Sequence, residues 1–285
     1  PKEIAPMRVL FGLILAAVST AALADHDCKF KAERNLDIDP AGLKTLALVL
    51  GSSDAQVEGV AGIKRIEVRG KACASEEEWL KDLTVDQERG GDRVRVTTSK
   101  NRSGTHINLF GSSYAYIDLT VRIPADLALE VDAGSGDADV SNVASLRFTS
   151  GSGDLKAHHV VGDVLVKVGS GDAIIDDIGS LDVERVGSGD IRASNSRGDI
   201  KVGHVGSGDV TFADVHGSVR VESVGSGDVG IRHTSGDVEI GSIGSGDVTV
   251  DGVGGNFIVH SAGSGDLHHH QVTGKVQVPK RHEDD

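Results

Sequence analysis

From residue 134 onward, apolar and polar positions alternate in short bursts separated by turn residues. In the stretch Gly244 to Ala262, Val248 and Val250 flank Thr249, a Gly-rich corner runs from Asp251 to Asn256, and Phe257 and Val259 flank Ile258. Alternation with a period of two marks strands that bury one face. The same columns recur along the chain. One residue past each Gly-Ser-Gly-Asp tetrapeptide stand Ala138, Leu155, Ala173, Ile191, Val210, Val229, Val248 and Leu267. Two further on stand Val140, Ala157, Ile175, Ala193, Phe212, Ile231 and Val250, until His269 interrupts the column. A second run supplies Val164 and Val166, Ile200 and Val202, Val219 and Val221, Val238 and Ile240, and Val276 and Val278.

The tetrapeptide occurs eight times. Its aspartates are Asp137, Asp154, Asp172, Asp190, Asp209, Asp228, Asp247 and Asp266, at steps of 17, 18, 18, 19, 19, 19 and 19 residues. A near-constant period of this size is the signature of a solenoid, each repeat stacking on the last. The pattern predicts an all-β fold: a single-stranded parallel β-solenoid (β-helix) of about 18–19 residues per coil, with about eight regular coils over residues 134–279. Successive coils should lie about 4.8 Å apart, giving a rod roughly 40 Å long. A half-period echo at Gly162-Asp163, Gly198-Asp199, Gly217-Ser218, Gly236-Asp237 and Gly255-Asn256 predicts two corners per coil. The corner glycines are read as supplying positive φ, and the serines and aspartates as bonding nearby backbone groups. A narrow core of small and β-branched side chains explains an aromatic content of only 3%.

The rhythm is looser over residues 25–133, which are read as irregular first coils and a cap of the same rod. Gly51-Ser52-Ser53-Asp54, followed by Ala55, Val57 and Val60, fits the coil template with one glycine replaced. Ile117, Leu119, Val121 and Ile123 alternate, and so do Leu127, Leu129 and Val131. Ser75 and Glu78, before Trp79, Leu80 and Leu83, form a capping-box pattern that predicts one short helix. Residues 99–113, rich in Ser, Gly and Asn, read as a loop, and the charged tail 280–285 as a frayed end. His268, His269 and His270 fall where other coils carry a β run, and are read as making the last edge polar.

Residues 1–24 read as upstream sequence followed by a secretory leader. Met7 and Arg8 open it, Val9 to Val18 is apolar, and Ala22-Leu23-Ala24 suits signal cleavage. No other stretch is apolar for long enough to span a bilayer. Cys28 and Cys73 are the only cysteines. In an exported protein they are expected to pair, closing a loop of about 46 residues and stabilising by roughly 4 kcal/mol in the chain-entropy model.

Repeated GSGD-V-x-V coils behind a leader, entered through Val121-Arg122-Ile123-Pro124-Ala125-Asp126-Leu127, resemble a bacterial family. It is the adhesin, auto-transporter-head or GIN-domain group of β-strand repeat proteins. The resemblance implies a parallel β-solenoid of the envelope or surroundings, without established catalysis. Export to the periplasm or the medium as a soluble protein is the expectation.

Candidate chemistry adds little to this picture. A column of eight carboxylates at about 4.8 Å would repel by about 1 kcal/mol per pair in water, so backbone N–H groups or cations must offset it. Calcium between coils is the alternative to backbone bonding, and a calcium-binding Gly/Asp-repeat rod the alternative function. His158-His159, His268 and His270 lack the spacing that completes a zinc site. Arg197-Gly198-Asp199 falls where the half-coil corner already requires Gly-Asp. A carbohydrate-active β-helix enzyme is the second alternative, but no paired carboxylates or Ser-His-Asp grouping stand out. No catalytic, cofactor or metal residue is therefore assigned. A formal net charge of -14 disfavours nucleic acid and leaves a protein or cell-envelope component as the expected partner. Outward positions Thr211, Arg220, Arg232, Thr249 and Gln277 are read as one binding face.

Overall fold

The structure is a computed structural model that describes residues 28–100 and 114–279. The leader, most of the Ser/Gly/Asn-rich stretch and the charged tail lie outside the described residues. The described chain forms an all-β solenoid of 22 strands with one short 3-10 helix. The first nine strands are β1 (Phe30–Ile38), β2 (Thr45–Val49), β3 (Asp54–Val60), β4 (Ile66–Ala74), β5 (Leu83–Gly90), β6 (Arg93–Lys100), β7 (Ala115–Pro124), β8 (Ala128–Asp132) and β9 (Ala138–Ser141). Next come β10 (Ser145–Ser150) and two strands that run through a corner, β11 (Leu155–Val168) and β12 (Ala173–Val186). After these the rhythm is uniform: β13 (Ile191–Ser196), β14 (Ile200–Val205), β15 (Val210–Val215), β16 (Val219–Val224), β17 (Val229–Thr234), β18 (Val238–Ile243), β19 (Val248–Val253), β20 (Phe257–Ala262), β21 (Leu267–Val272) and β22 (Val276–Gln277).

Each regular coil is two six-residue strands, and each strand stacks in parallel on its equivalent in the next coil. Thus Val210 lies opposite Val229 and Phe212 opposite Ile231 on one side, and Val219 opposite Val238 on the other. The shorter early steps are absorbed by register shifts between β11 and β12, after Val160 and after Val166. Within β13, β15, β17 and β19, the first strands of the uniform coils, the first, third and sixth residues are buried, as in Ile191, Ala193 and Ser196. Simple alternation would have buried the fifth. The phase slips because the backbone bends at the fifth position. There Asn142, His159, Asp177, Asn195, Asp214, His233 and Gln271 all take positive φ, joined by Gly252. Asn and Asp tolerate this conformation better than most side chains.

The corner glycines do a different job from the one their sequence suggests. Of the glycines in the eight tetrapeptides, only Gly134 has positive φ. The others are required by stacking. A Cβ on Gly208 would sit 1.7 Å from the carbonyl oxygen of Gly189, and one on Gly227 would sit 1.8 Å from that of Gly208. Real carbon and oxygen atoms cannot approach so closely, so the coils can close to strand spacing at the corner only where side chains are missing.

The N-terminal segment joins this stack through an insertion. On one sheet β3 pairs in parallel with both β7 and β9, and Ala55 lies opposite Ala138. On the other, β2 pairs in parallel with β6 and β8. Beyond them the direction reverses: β4 runs antiparallel to β7, β1 to β4, and β5 to β6. The irregular coils therefore include antiparallel strands, which share the alternating pattern of parallel ones and cannot be told from them by it. The helix, Glu77–Asp82, is capped by Glu76 without a side-chain bond, so the capping-box reading of Ser75 is incorrect. Ser75 Oγ instead accepts the backbone N–H of Tyr114 at 3.3 Å. Arg34 fastens the helix end by donating to the carbonyls of Leu83 and Leu80, both at 2.7 Å. Trp79 is buried against a core that runs unbroken from Ile38 to Val259. Cys28 and Cys73 form the expected disulfide, with Cα atoms 5.7 Å apart, which anchors the start of β1 to β4.

The stacking argument gives a paired test by thermal or urea unfolding. Gly227→Ala should cost about 2–4 kcal/mol through the clash with Gly208. Gly90→Ala, with ordinary φ and nothing within 4 Å of the added carbon, should stay within about 0.5 kcal/mol.

Candidate functional site

The aspartate column is built from one repeated bond. Asp137 donates its backbone N–H to Asp54 Oδ1 at 2.8 Å, and Asp154 to Asp137 Oδ1 at 2.9 Å. The same step recurs at Asp172, Asp190, Asp209, Asp228, Asp247 and Asp266, each bonding the carboxylate one coil earlier. Each of these carboxylates up to Asp247 thus reaches forward to the next coil, not to its own turn. Charge-assisted bonds of this type are about twice as strong as neutral ones, which offsets repulsion along the column. A second, mixed ladder occupies the other corner. Ser218 N–H bonds Asp199 Oδ1, Asp237 N–H bonds Ser218 Oγ, and Asn256 N–H bonds Asp237 Oδ1, at 2.8, 3.1 and 2.6 Å.

The bend at the fourth and fifth strand positions carries a polar ridge. Asp176 Oδ1 accepts from Ser194 Oγ at 2.5 Å and from Asn195 Nδ2 at 2.7 Å, and His158 Nδ1 lies 3.3 Å from Asp176 Oδ2. His159 Nδ1 lies 2.5 Å from Asp177 Oδ2, and Arg197 donates to Asp177 Oδ1. The Ser194 hydroxyl does most to hold the Asp176 carboxyl below its usual range, and His159 does the same for Asp177. A carboxyl with a depressed pKa stabilises the fold at neutral pH, and that contribution is lost only as pH falls below the ordinary carboxylate range. The ridge involves His158-His159 in carboxylate pairs, and among the described residues no group of three His, Cys, Asp or Glu side chains is placed to hold a metal ion.

Arg197-Gly198-Asp199 is engaged in the fold. Arg197 also donates to the carbonyls of Val160 and Val161 at 2.9 and 3.1 Å, while Asp199 belongs to the corner ladder. The five outward positions do not form one face. Thr211 and Thr249 lie on the sheet of β15 and β19, Arg220 and Gln277 on that of β16 and β22, and Arg232 at the bend. His268 and His270 are exposed, and His269 packs its ring 5.9 Å from that of Phe257, at the end of the core column.

A concavity lies where the inserted strands meet the first rungs of the aspartate ladder. It is a groove of about 870 Å3 between Tyr114, just before β7, Tyr116 of β7 and the corner residues Asp54, Asp137 and Asp154. The two tyrosine rings lie 6.0 Å apart, tilted by 40°. Sequence reading missed it because Asp54 and Asp137 are 83 residues apart and come together only through the insertion.

The corner bonds generate a test of the cation alternative. Since each Oδ1 already accepts an N–H, calcium or EDTA should leave the melting temperature unchanged. Asp209→Ala, which orphans the Asp228 amide, should cost about 1 kcal/mol, and Asp209→Asn, which keeps an acceptor oxygen, should cost less. An EDTA-sensitive transition would reverse this reading.

None of the curated proteins matches the chain. Among solved structures, a "putative lipid binding protein" from Parabacteroides distasonis ATCC 8503 shares the fold, with a TM-score of 0.52 at 15% identity over 87% of this chain and 97% of that one. A "putative adhesin" from Parabacteroides distasonis ATCC 8503 aligns over 86% and 96% at 12% identity with a TM-score of 0.38. Another "putative adhesin", from Bacteroides fragilis NCTC 9343, aligns over 87% and 97% at 12% identity with a TM-score of 0.33. Residues 161–283, within the repeated part of the chain, match the family model described as Toastrack DUF4097.

Proposed function

We propose that this chain is an exported, non-catalytic, adhesin-like module, periplasmic or secreted, whose sides meet a protein or other component of the bacterial envelope or its surroundings. The observation that carries the reading is the register of outward side chains. Arg192, Thr211, Gly230, Thr249 and His268 stack one above another on one sheet. Lys201, Arg220, Glu239, Ile258 and Gln277 do so on the other. Such rows repeat at strand spacing, about 4.8 Å, on a frame whose backbone groups are paired from coil to coil. A rigid array of this kind suits recognition of an extended surface, because little conformational freedom is lost on binding.

Export is supported by the Cys28–Cys73 disulfide, which persists in oxidising compartments, and by the leader pattern at residues 7–24. Absence of a catalytic role is supported by the carboxylates themselves. Those of the corners and the ridge are committed to backbone amides, hydroxyls, imidazoles and Arg197 within the fold.

Cell fractionation followed by crosslinking from the outward lysines tests this. The protein should be recovered from the periplasm or the medium, joined to an envelope or surface component through positions such as Lys201. Retention in the cytoplasm, or release of sugar from a glycan by the purified protein, would contradict it.

A further inference from the structure

From the tyrosine-walled groove we propose a binding site for a linear glycan that carries free amino groups. This rests on the non-catalytic binding role above and names the ligand class for one site. The argument begins with the wall. Tyr114 is held at three points: its backbone N–H donates to Ser75 Oγ, its carbonyl accepts from Ser75 N–H at 2.9 Å, and its hydroxyl accepts from Lys29 N–H at 3.0 Å. Tyr116 lies in register with Cys73, the residue bonded to Cys28. The disulfide therefore braces both sides of the wall, and the rings are pre-positioned at little entropic cost.

The floor supplies mainly negative charge. Asp54 and Asp137 turn Oδ1 to the ladder, which fixes the direction of their carboxylates. Asp118, Asp139 and Asp154 add to the lining, against a single cation, Lys156. Such a site repels phosphorylated, sulfated or uronic ligands and attracts ammonium groups. Tyrosine faces attract the same ammonium groups by cation–π interaction and also pack against the C–H face of a pyranose ring. A basic peptide would match the charge but not the backbone. β3 is paired on both edges, with β7 and with β9, so no strand edge is open for a peptide to extend. The aspartates recur from rung to rung at about 4.8 Å, so a ligand with regularly spaced amines can meet more than one carboxylate. The volume of about 870 Å3 lies within the range of small-ligand sites.

Calorimetric titration of the intact, disulfide-bonded protein separates the possibilities. The probes are a fully deacetylated glucosamine tetramer, its N-acetylated counterpart, a neutral glucose tetramer and tetralysine. The amine-bearing sugar should bind at least about tenfold more tightly than each of the other three. Tyr116→Ala should weaken it about fivefold. Lys156→Gln should strengthen it, whereas Glu222→Gln, on the opposite sheet, should leave it unchanged. Circular dichroism reports whether each variant is folded, and Tyr116→Phe keeps the ring if the alanine variant is not. Equal binding of the amine and N-acetyl sugars, equal binding of tetralysine, or full binding by folded Tyr116→Ala would overturn the proposal. Capture of an envelope component that survives in Tyr116→Ala would end this assignment and leave the wider binding role standing.

Discussion

The structure depends on how closely two coils can approach at the Gly-Ser-Gly-Asp corner. The second glycine of each tetrapeptide lies against the carbonyl oxygen of its equivalent one coil earlier, where a Cβ would come within 1.7–2.1 Å of that oxygen. Leaving that carbon out lets the corner stack at the same spacing as the strands. It also brings each aspartate amide within 2.7–3.0 Å of the carboxylate before it. The strand ladders, the apolar columns and the polar rows all inherit their register from this contact. The ladder also answers the electrostatic objection to a column of like charges, because each added carboxylate arrives with an N–H donor for the one before it.

Much of this was legible along the chain. The 17–19-residue steps gave the coil, and the columns through Val210, Val229 and Val248 gave half of the core. The reason for the glycines was not legible, since positive φ and close approach both select glycine and only coordinates distinguish them. The third core column, Val143, Val160, Ile178, Ser196, Val215, Thr234 and Val253, was missed because the bend shifts the phase by one residue. A signal for it was present: five residues past each aspartate stand Asn, His, Asp, Asn, Asp, His, Gly and Gln, and the Asn, Asp and Gly among them favour a left-handed backbone.

The N-terminal segment was harder for a different reason. Its strands alternate as cleanly as the rest, but alternation carries no information on strand direction. The reversal at β4 and β1, and the insertion that separates Asp54 from Asp137, follow from long-range pairing. That same insertion supplies Tyr114 and Tyr116 and so creates the groove. Fold and candidate site thus share the ladder: the repeats build it and supply aspartates of the groove, and the irregular strands add the tyrosine wall that distinguishes one end of it.

Amide hydrogen exchange at the corner aspartates tests the central claim most directly. These residues lie at the surface, in short turns outside the strands, where an unbonded N–H would exchange as in an unstructured peptide. The ladder predicts that the Asp172, Asp190, Asp228 and Asp247 amides exchange as slowly as those of the adjoining strands. Corner amides that exchange at the rate of a free peptide, beside protected strands, would contradict the account.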